Sequence, residues 1–241
     1  MFGYSSDDLI VLPVALAIII LTTVILRITL KNKSDRVKEI PLIIISAVLV
    51  ILEIIKQIIN FTGDDFSYFA FPFHYCSLFV FTFPLAHFTK GKVKKFFTPV
   101  AYITALAMTL LFYFHPRGII GTSSTYMFEE YMAFHSVVFH QLVIMYTFIT
   151  TALKTNVPKK KHSINLMIVM LSYCVFAIII SYVLDTNYCN YLWSVIDPVE
   201  ALRLELGQVV YTIGISIVVG LGPSLLNLIY YGICNIKKNN K

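Results

Sequence analysis

Residues 31–60 read KNKSDRVKEIPLIIISAVLVILEIIKQIIN, and this stretch decides the fold. Its first eight positions hold Lys31, Lys33, Arg36 and Lys38. Ile40–Asn60 then runs on almost without a charge, long enough at about 1.5 Å per helical residue to cross a hydrocarbon layer of about 30 Å. A basic flank followed by such a run predicts a helix rising out of the cytoplasm. Towards its far end the run carries Glu53, Lys56, Gln57 and Asn60, spaced i, i+3, i+4, i+7 on one helical face. Charges facing lipid cost several kcal/mol, so this stripe must line the bundle interior or a watery cavity. A Glu53–Lys56 pair that merely seals the bundle and a role in a site are both open.

Six more apolar runs are predicted as spans, at Leu9–Leu30, Phe73–Phe88, Phe96–Phe114, Phe128–Leu153, Ser163–Leu184 and Gly207–Ile233. Pro72 suits the first turn of the third, and Pro84 predicts a kink within it. Basic clusters follow every other run: Lys31 to Lys38, Lys90 to Lys95, Lys154 to Lys161, and Lys237, Lys238 and Lys241. They hold 15 of the 19 Lys and Arg residues. The alternate segments carry Asp7, Asp8, Asp64 and Asp65 instead. The expectation is an all-α, polytopic bundle of seven transmembrane helices in one domain over residues 1–241. Its N-terminus lies outside and its C-terminus in the cytoplasm of a multi-pass plasma-membrane protein.

Composition agrees. The 241 residues are 58% hydrophobic and 13% charged, with a mean hydropathy of +0.78. A soluble domain of this length cannot bury that much apolar surface. The formal charge of +6 sits in the inter-span clusters, which argues against a nucleic-acid partner. The first run reads as a retained span rather than a cleaved leader, because its leading flank is acidic and no small-residue cleavage site follows. Asp185–Leu206, with Tyr188, Tyr191 and Trp193, is expected at the membrane interface.

Ionisable residues inside spans point to function. Span three opens with His74 and Cys76. Span five carries Glu129, Ser136 and His140 on one face and Tyr131 with His135 on another. By helical rise, Glu53, Cys76, His135 and His140 gather in the outer half or near the middle of the bilayer. Each has a blander reading: a histidine that meets water at a helix start, an inert buried thiol, a packed imidazole. Cys174 and Cys234 read as packing residues. Cys76 and Cys189 lie on the oxidising side, so a disulfide between them is a further alternative.

Pro72-x-His74-x-Cys76, the span-five histidines, Thr186-Asn187-Tyr188, Asp197-Pro198, Leu206-Gly207 and Tyr211 together resemble the bacterial YwaF family of integral membrane proteins. The likeness covers roughly residues 40 to 230. Vertebrate relatives of that family are described as transmembrane acyltransferases acting on phospholipids through a cysteine and a histidine. The resemblance implies that Cys76 is the nucleophile and His140 its partner, with His135 the competing assignment. Glu53 and Lys56 match an acidic and basic pair in span two. The chain departs from the pattern in placing His74 before the cysteine.

Three functions are open at this point. In a lipid acyl-transfer enzyme, Cys76 would form an acyl-thioester, His140 or His135 would move the proton, Glu53 or Glu129 would orient the imidazole, and membrane phospholipids would be substrates. Lys56 would face the oxyanion, and no cofactor is called for. In a metallohydrolase, His74, His135, His140 and Glu53 would hold zinc, although no HExxH spacing supports it. In a carrier or receptor the same charges would mark a path.

Overall fold

The computed structural model describes residues 4–239, with side chains through Ile236. The basic tail Lys237, Lys238 and Lys241, used above for orientation, lies outside the described side chains. The described residues are helical with no strand. Six helices are long and apolar enough to cross a membrane: α1 (Asp8–Leu30), α2 (Asp35–Thr62), α4 (Gly91–Phe114), α7 (Tyr131–Leu153), α8 (His162–Val183) and α10 (Gln208–Asn239). Between α2 and α4 lies α3 (Leu78–His87), the main part of a shorter apolar helix, Tyr75–His87, about 20 Å long. Two single turns, α5 (Arg117–Ile120) and α6 (Ser123–Tyr126), precede α7, and α9 (Asp197–Leu206) precedes α10.

Six of the seven expected spans coincide with the six long helices, and the third expected run holds the shorter helix, with shifts that have local causes. α2 begins at Asp35 and α4 at Gly91 because charged residues continue a helix into water once the apolar part has formed it. Gly91 takes φ +64°, a left-handed conformation that suits a residue without a side chain. The helix in the third expected run starts later than expected. His74 is extended (φ −77°, ψ 157°) behind Pro72, a 3-10 turn covers Tyr75–Ser77, and only then does α3 run on, through Pro84. α7 begins at Tyr131, which leaves Glu129 and Glu130 ahead of the helix and exposed.

The chain packs as two compact units, residues 1–64 with 79–157 and residues 65–78 with 158–241. In the first, α7 is the central helix and packs against α1, α2 and α4. Leu12 and Ile19 of α1 meet Phe112 of α4 and Val137 and Ile144 of α7 in one apolar cluster. Asp7 is tied to a turn before α7, where Thr125 Oγ1 donates to its carboxylate at 2.6 Å, and Tyr4 Oη donates to the Tyr113 carbonyl of α4 at 2.7 Å. The outward faces of α1 and α2 expose Ile10, Val14, Leu21, Ile44, Ile51 and Ile58, the surface a lipid-facing helix presents.

In the second unit α8 and α10 pack side by side. Gly220 permits their close approach, since a Cβ there would come within 2.6 Å of Leu171 Cδ2. Polar contacts bind the pair at one end. Ser163 Oγ donates to the Ser224 carbonyl (3.1 Å), Ser224 Oγ to the Ser163 carbonyl (2.9 Å), and Asn227 Nδ2 to Ser163 Oγ (2.9 Å) and the Lys159 carbonyl (3.0 Å). Small and polar residues of this kind hold helices together where the hydrophobic effect does not distinguish helix from lipid.

Candidate functional site

The polar stripe of α2 faces α7, not lipid. Glu53 is buried, 4% exposed. Its Oε1 accepts from Lys56 Nζ at 2.8 Å and from Gln57 Nε2 at 2.7 Å, the i+3 and i+4 neighbours that the helical repeat places beside it. Its Oε2 lies 3.3 Å from His135 Nε2 on α7. That contact lacks hydrogen-bond alignment, and neither atom has a hydrogen-bond partner among the described residues. Tyr131, one turn before His135, donates its hydroxyl to the Leu52 carbonyl at 3.0 Å and fixes α7 against α2. Asn60 is buried at 2% exposure, while Lys56 and Gln57 are half-buried. Beside this cluster an open groove of about 380 Å³ follows α2, lined almost wholly by apolar atoms of residues that include Val50, Ile54, Ile58, Phe61 and Val80, with Glu53 and Gln57 at its edge.

His140 is buried on α7 at 4% exposure. Its Nδ1 lies 2.6 Å from the Ser136 carbonyl oxygen. A carbonyl only accepts, so Nδ1 carries the proton and Nε2 the lone pair. The ring stacks on Phe112 at 5.9 Å and meets Phe139 edge-on. The two histidines are therefore divided as their helical angles predict: His135 approaches the Glu53 carboxylate, and His140 is oriented by its own helix backbone. Glu129 corrects an expectation. It sits on the turn ahead of α7 with its N–H on the Tyr126 carbonyl, so it shares no helical face with Ser136 and His140 and cannot orient either imidazole from one.

Cys76 lies in the second unit, on the 3-10 turn that opens the helix Tyr75–His87. His74, just before it, donates from Nε2 to the Phe69 carbonyl (3.1 Å) and packs edge-on against Phe69 and Tyr188. Upstream, the Phe73 carbonyl accepts from Tyr173 Oη at 2.7 Å and from Cys189 Sγ at 3.7 Å, and Tyr173 Oη lies 3.3 Å from that sulfur. Irregular backbone is tolerated at membrane depth only where protein satisfies its polar groups, and Tyr173 performs that task here. All four cysteines are thiols, so the possible Cys76–Cys189 disulfide is not formed. Burial pushes the Cys189 thiol up to about 12, which keeps it neutral.

The motifs around Cys189 shape the loop that bears it. Asn187 Oδ1 accepts from the Leu192 and Trp193 amides (2.9 and 3.3 Å), and its Nδ2 donates to the Trp193 carbonyl at 2.9 Å. Cys189 and Asn190 then take left-handed conformations, φ 54° and 61°. Tyr188 Oη donates to the Tyr68 carbonyl, and Tyr211 Oη to the Asn190 carbonyl at 2.5 Å. Pro198 opens α9, and Gly207, at φ +86°, ends it. Within α9 Glu200 accepts from Arg203 (2.6 and 2.9 Å) and from the Ser194 amide (2.8 Å). These donors hold its carboxyl down to about 2.

One buried cluster escaped the sequence reading. Glu39 of α2 accepts from Lys94 Nζ of α4 at 2.6 Å and lies 2.9 Å from His87 Nδ1 at the end of α3. His87 Nε2 meets Tyr146 Oη of α7 at 2.9 Å, and Phe83 stacks on the Tyr146 ring at 3.9 Å. Glu39 looked like a flank residue and Lys94 one basic residue of a cluster. The only signal was His87 closing an apolar run.

Among the described residues no group of three or more His, Cys, Asp or Glu side chains is arranged to hold a metal ion, so the donor set His74, His135, His140 and Glu53 is not assembled as one. No curated protein and no solved structure matches the chain. A model of the TMEM164 family, a family of membrane proteins, matches residues 1–222, and with its several apolar helices this chain is a multi-pass membrane protein that belongs to that family.

Proposed function

We propose that the chain is a lipid acyl-transfer enzyme of the plasma membrane, related to the YwaF-type proteins. In this reading it is a single seven-span domain with its N-terminus outside. The short helix Tyr75–His87 is its third span and completes the seven, and the alternation of basic clusters supports the orientation. The observation that carries the reading is the position of Cys76. It sits on the first turn of a helix that begins only after an irregular, protein-satisfied stretch, 71–74. A cysteine there presents its sulfur, the atom that a thioester mechanism needs as nucleophile, at the start of a helix.

As the likeness to the YwaF-type proteins has the roles, Cys76 is the nucleophile and His140, whose Nε2 the Ser136 contact leaves basic, is the base that accepts the thiol proton. The sulfur attacks the ester carbonyl of a phospholipid, and the tetrahedral intermediate expels the glycerol oxygen, which takes the proton from the imidazolium. A lysolipid and an acyl-thioester result. The hydroxyl of an acceptor lipid, or water, then gives its proton to the same nitrogen and attacks the thioester, and Cys76 leaves as thiolate. His135, approached by the Glu53 carboxylate, is the competing base, with Lys56 as the cation available to a developing oxyanion. The groove along α2 has the apolar wall an acyl chain would need.

Incubation of the purified chain in vesicles with a phospholipid bearing a radiolabelled acyl chain tests this. Label should remain on the protein after denaturation, be released by neutral hydroxylamine, and vanish in Cys76→Ala. A Cys76→Ala protein that remodels acyl chains at the wild-type rate defeats the proposal. His140→Gln and His135→Gln, assayed in parallel, identify the base as the one whose loss abolishes thioester formation.

A further inference from the structure

A second groove lies in the first unit, away from the α2 stripe. It has a volume of about 790 Å³ and is walled by α1, α4 and α7. At one end α1 is closed onto its neighbours by Leu12 and Ile19 packing against Phe112 and Ile144. Towards the other, the end that bears Lys31, Lys90 and Lys154, its wall includes Arg27. The groove is within the size range of small-molecule sites, roughly 300–1,000 Å³.

Two side chains of α1 give it a polar head. Arg27 is exposed in the last turn of the helix, about 5 Å along the axis from its end. A helix of this length only just exceeds the hydrocarbon layer, so the guanidinium stands at the level of lipid phosphates. Among the described residues no carboxylate pairs with it. Thr23 is one turn deeper, 8% exposed, and lines the groove. Its Oγ1 has no hydrogen-bond partner among the described residues. That is unusual for a helical threonine, which normally bonds a carbonyl one turn back. Thr29 of the same helix does so, as do Thr109, Thr147 and Thr151 on the opposite walls. A buried hydroxyl without a partner is unfavourable, so a ligand acceptor or donor at that point would be favoured.

The geometry points to a binding site for one anionic phospholipid of the leaflet on the basic side. The phosphate lies on Arg27, an ester oxygen accepts from Thr23 Oγ1, and one acyl chain fills the groove along α4. Arginine presents two parallel donors to a phosphate. Lys31 and Lys33, just beyond Arg27, select a headgroup without a positive charge. A merely snorkelling arginine would meet bulk headgroups and hold no single lipid through extraction. The site does not depend on any chemistry at Cys76.

The full chain, extracted in mild detergent and equilibrated with equal phosphatidylglycerol and phosphatidylcholine, is examined by native mass spectrometry. One phosphatidylglycerol should be retained with about tenfold preference. Arg27→Gln, an exposed substitution that leaves folding alone, should bring the preference to near parity. Thr23→Val, isosteric, should lower retention of either lipid about fivefold while leaving the preference in place. Parity in the wild type, or a preference unchanged in Arg27→Gln, overturns the proposal, as does Thr23→Val with wild-type retention.

Discussion

Replacing Glu53 with Leu isolates the energetics of the α2–α7 cluster. The carboxylate neutralises Lys56 at 2.8 Å and accepts from Gln57 at 2.7 Å, and both charged side chains of the pair are largely withdrawn from solvent, 5% exposed for Glu53 and 12% for Lys56. At an effective dielectric near 20, the Coulomb attraction at that distance is about 6 kcal/mol, before desolvation is subtracted. Removing one partner of such a pair leaves an uncompensated charge and costs about 3–5 kcal/mol. For a chain of this length a change of 1 kcal/mol moves the melting temperature by about 2–4 °C. Glu53→Leu should therefore melt about 6–20 °C lower in detergent, followed by scanning fluorimetry. The double variant Glu53→Leu/Lys56→Leu, which removes the stranded cation as well, should recover most of the loss. A single variant that melts within about 2 °C of wild type would refute the picture of a buried, mutually dependent pair. So would a double variant no more stable than the single one.

Asn187→Ala removes three hydrogen bonds to residues 192 and 193, worth about 1 kcal/mol each. Because Trp193 is the sole tryptophan, its emission should shift to longer wavelength and become more accessible to iodide, and an unchanged spectrum contradicts the stapled loop. Cys189, with its thiol at about 12 in the folded chain, should resist iodoacetamide at pH 8.5 until the protein is denatured. The sign for stability follows: the folded state holds this proton more tightly than the unfolded one. The contribution is complete below about 9 and is lost as pH rises towards 12. Labelling of Cys189 at equal rates in the folded and denatured chain would show that the sulfur is not buried as described.

The long spans were legible in the sequence because hydropathy over some twenty residues overrides local detail, and the inward turn of the α2 stripe was legible because Glu53, Lys56 and Asn60 share a face that lipid would not tolerate. The start of the third span was not. Whether a chain turns helical at Phe73 or at Tyr75 depends on who satisfies the Phe73 carbonyl, and Tyr173 is a hundred residues away. The same holds for Glu129: a helical wheel assumes a helix, and α7 begins two residues later. Asp185–Leu206 was recognisable as a segment between two long helices. That Asn187 folds it and that α9 forms within it follow from contacts of low periodicity which no repeat reveals.

The two buried clusters of the first unit show how a sealing network differs from a candidate site. Around Glu39 the partners are closed. The carboxylate has Lys94, both ring nitrogens of His87 are engaged, by Glu39 and Tyr146, and the Tyr146 ring is stacked on Phe83. Such a network ties α2, α3, α4 and α7 together and leaves no donor or acceptor of the imidazole for a substrate. Around Glu53 the arrangement is incomplete: Oε2 and His135 Nε2 approach without aligning, and an apolar groove opens along the neighbouring face of α2. A misaligned contact beside an open groove is what binding can tighten. Composition alone ranks the two clusters alike, each a Glu, a Lys, a His and a Tyr, so the distinction rests on satisfaction: the closed network is read as structure, and the incomplete one as the better candidate for a ligand.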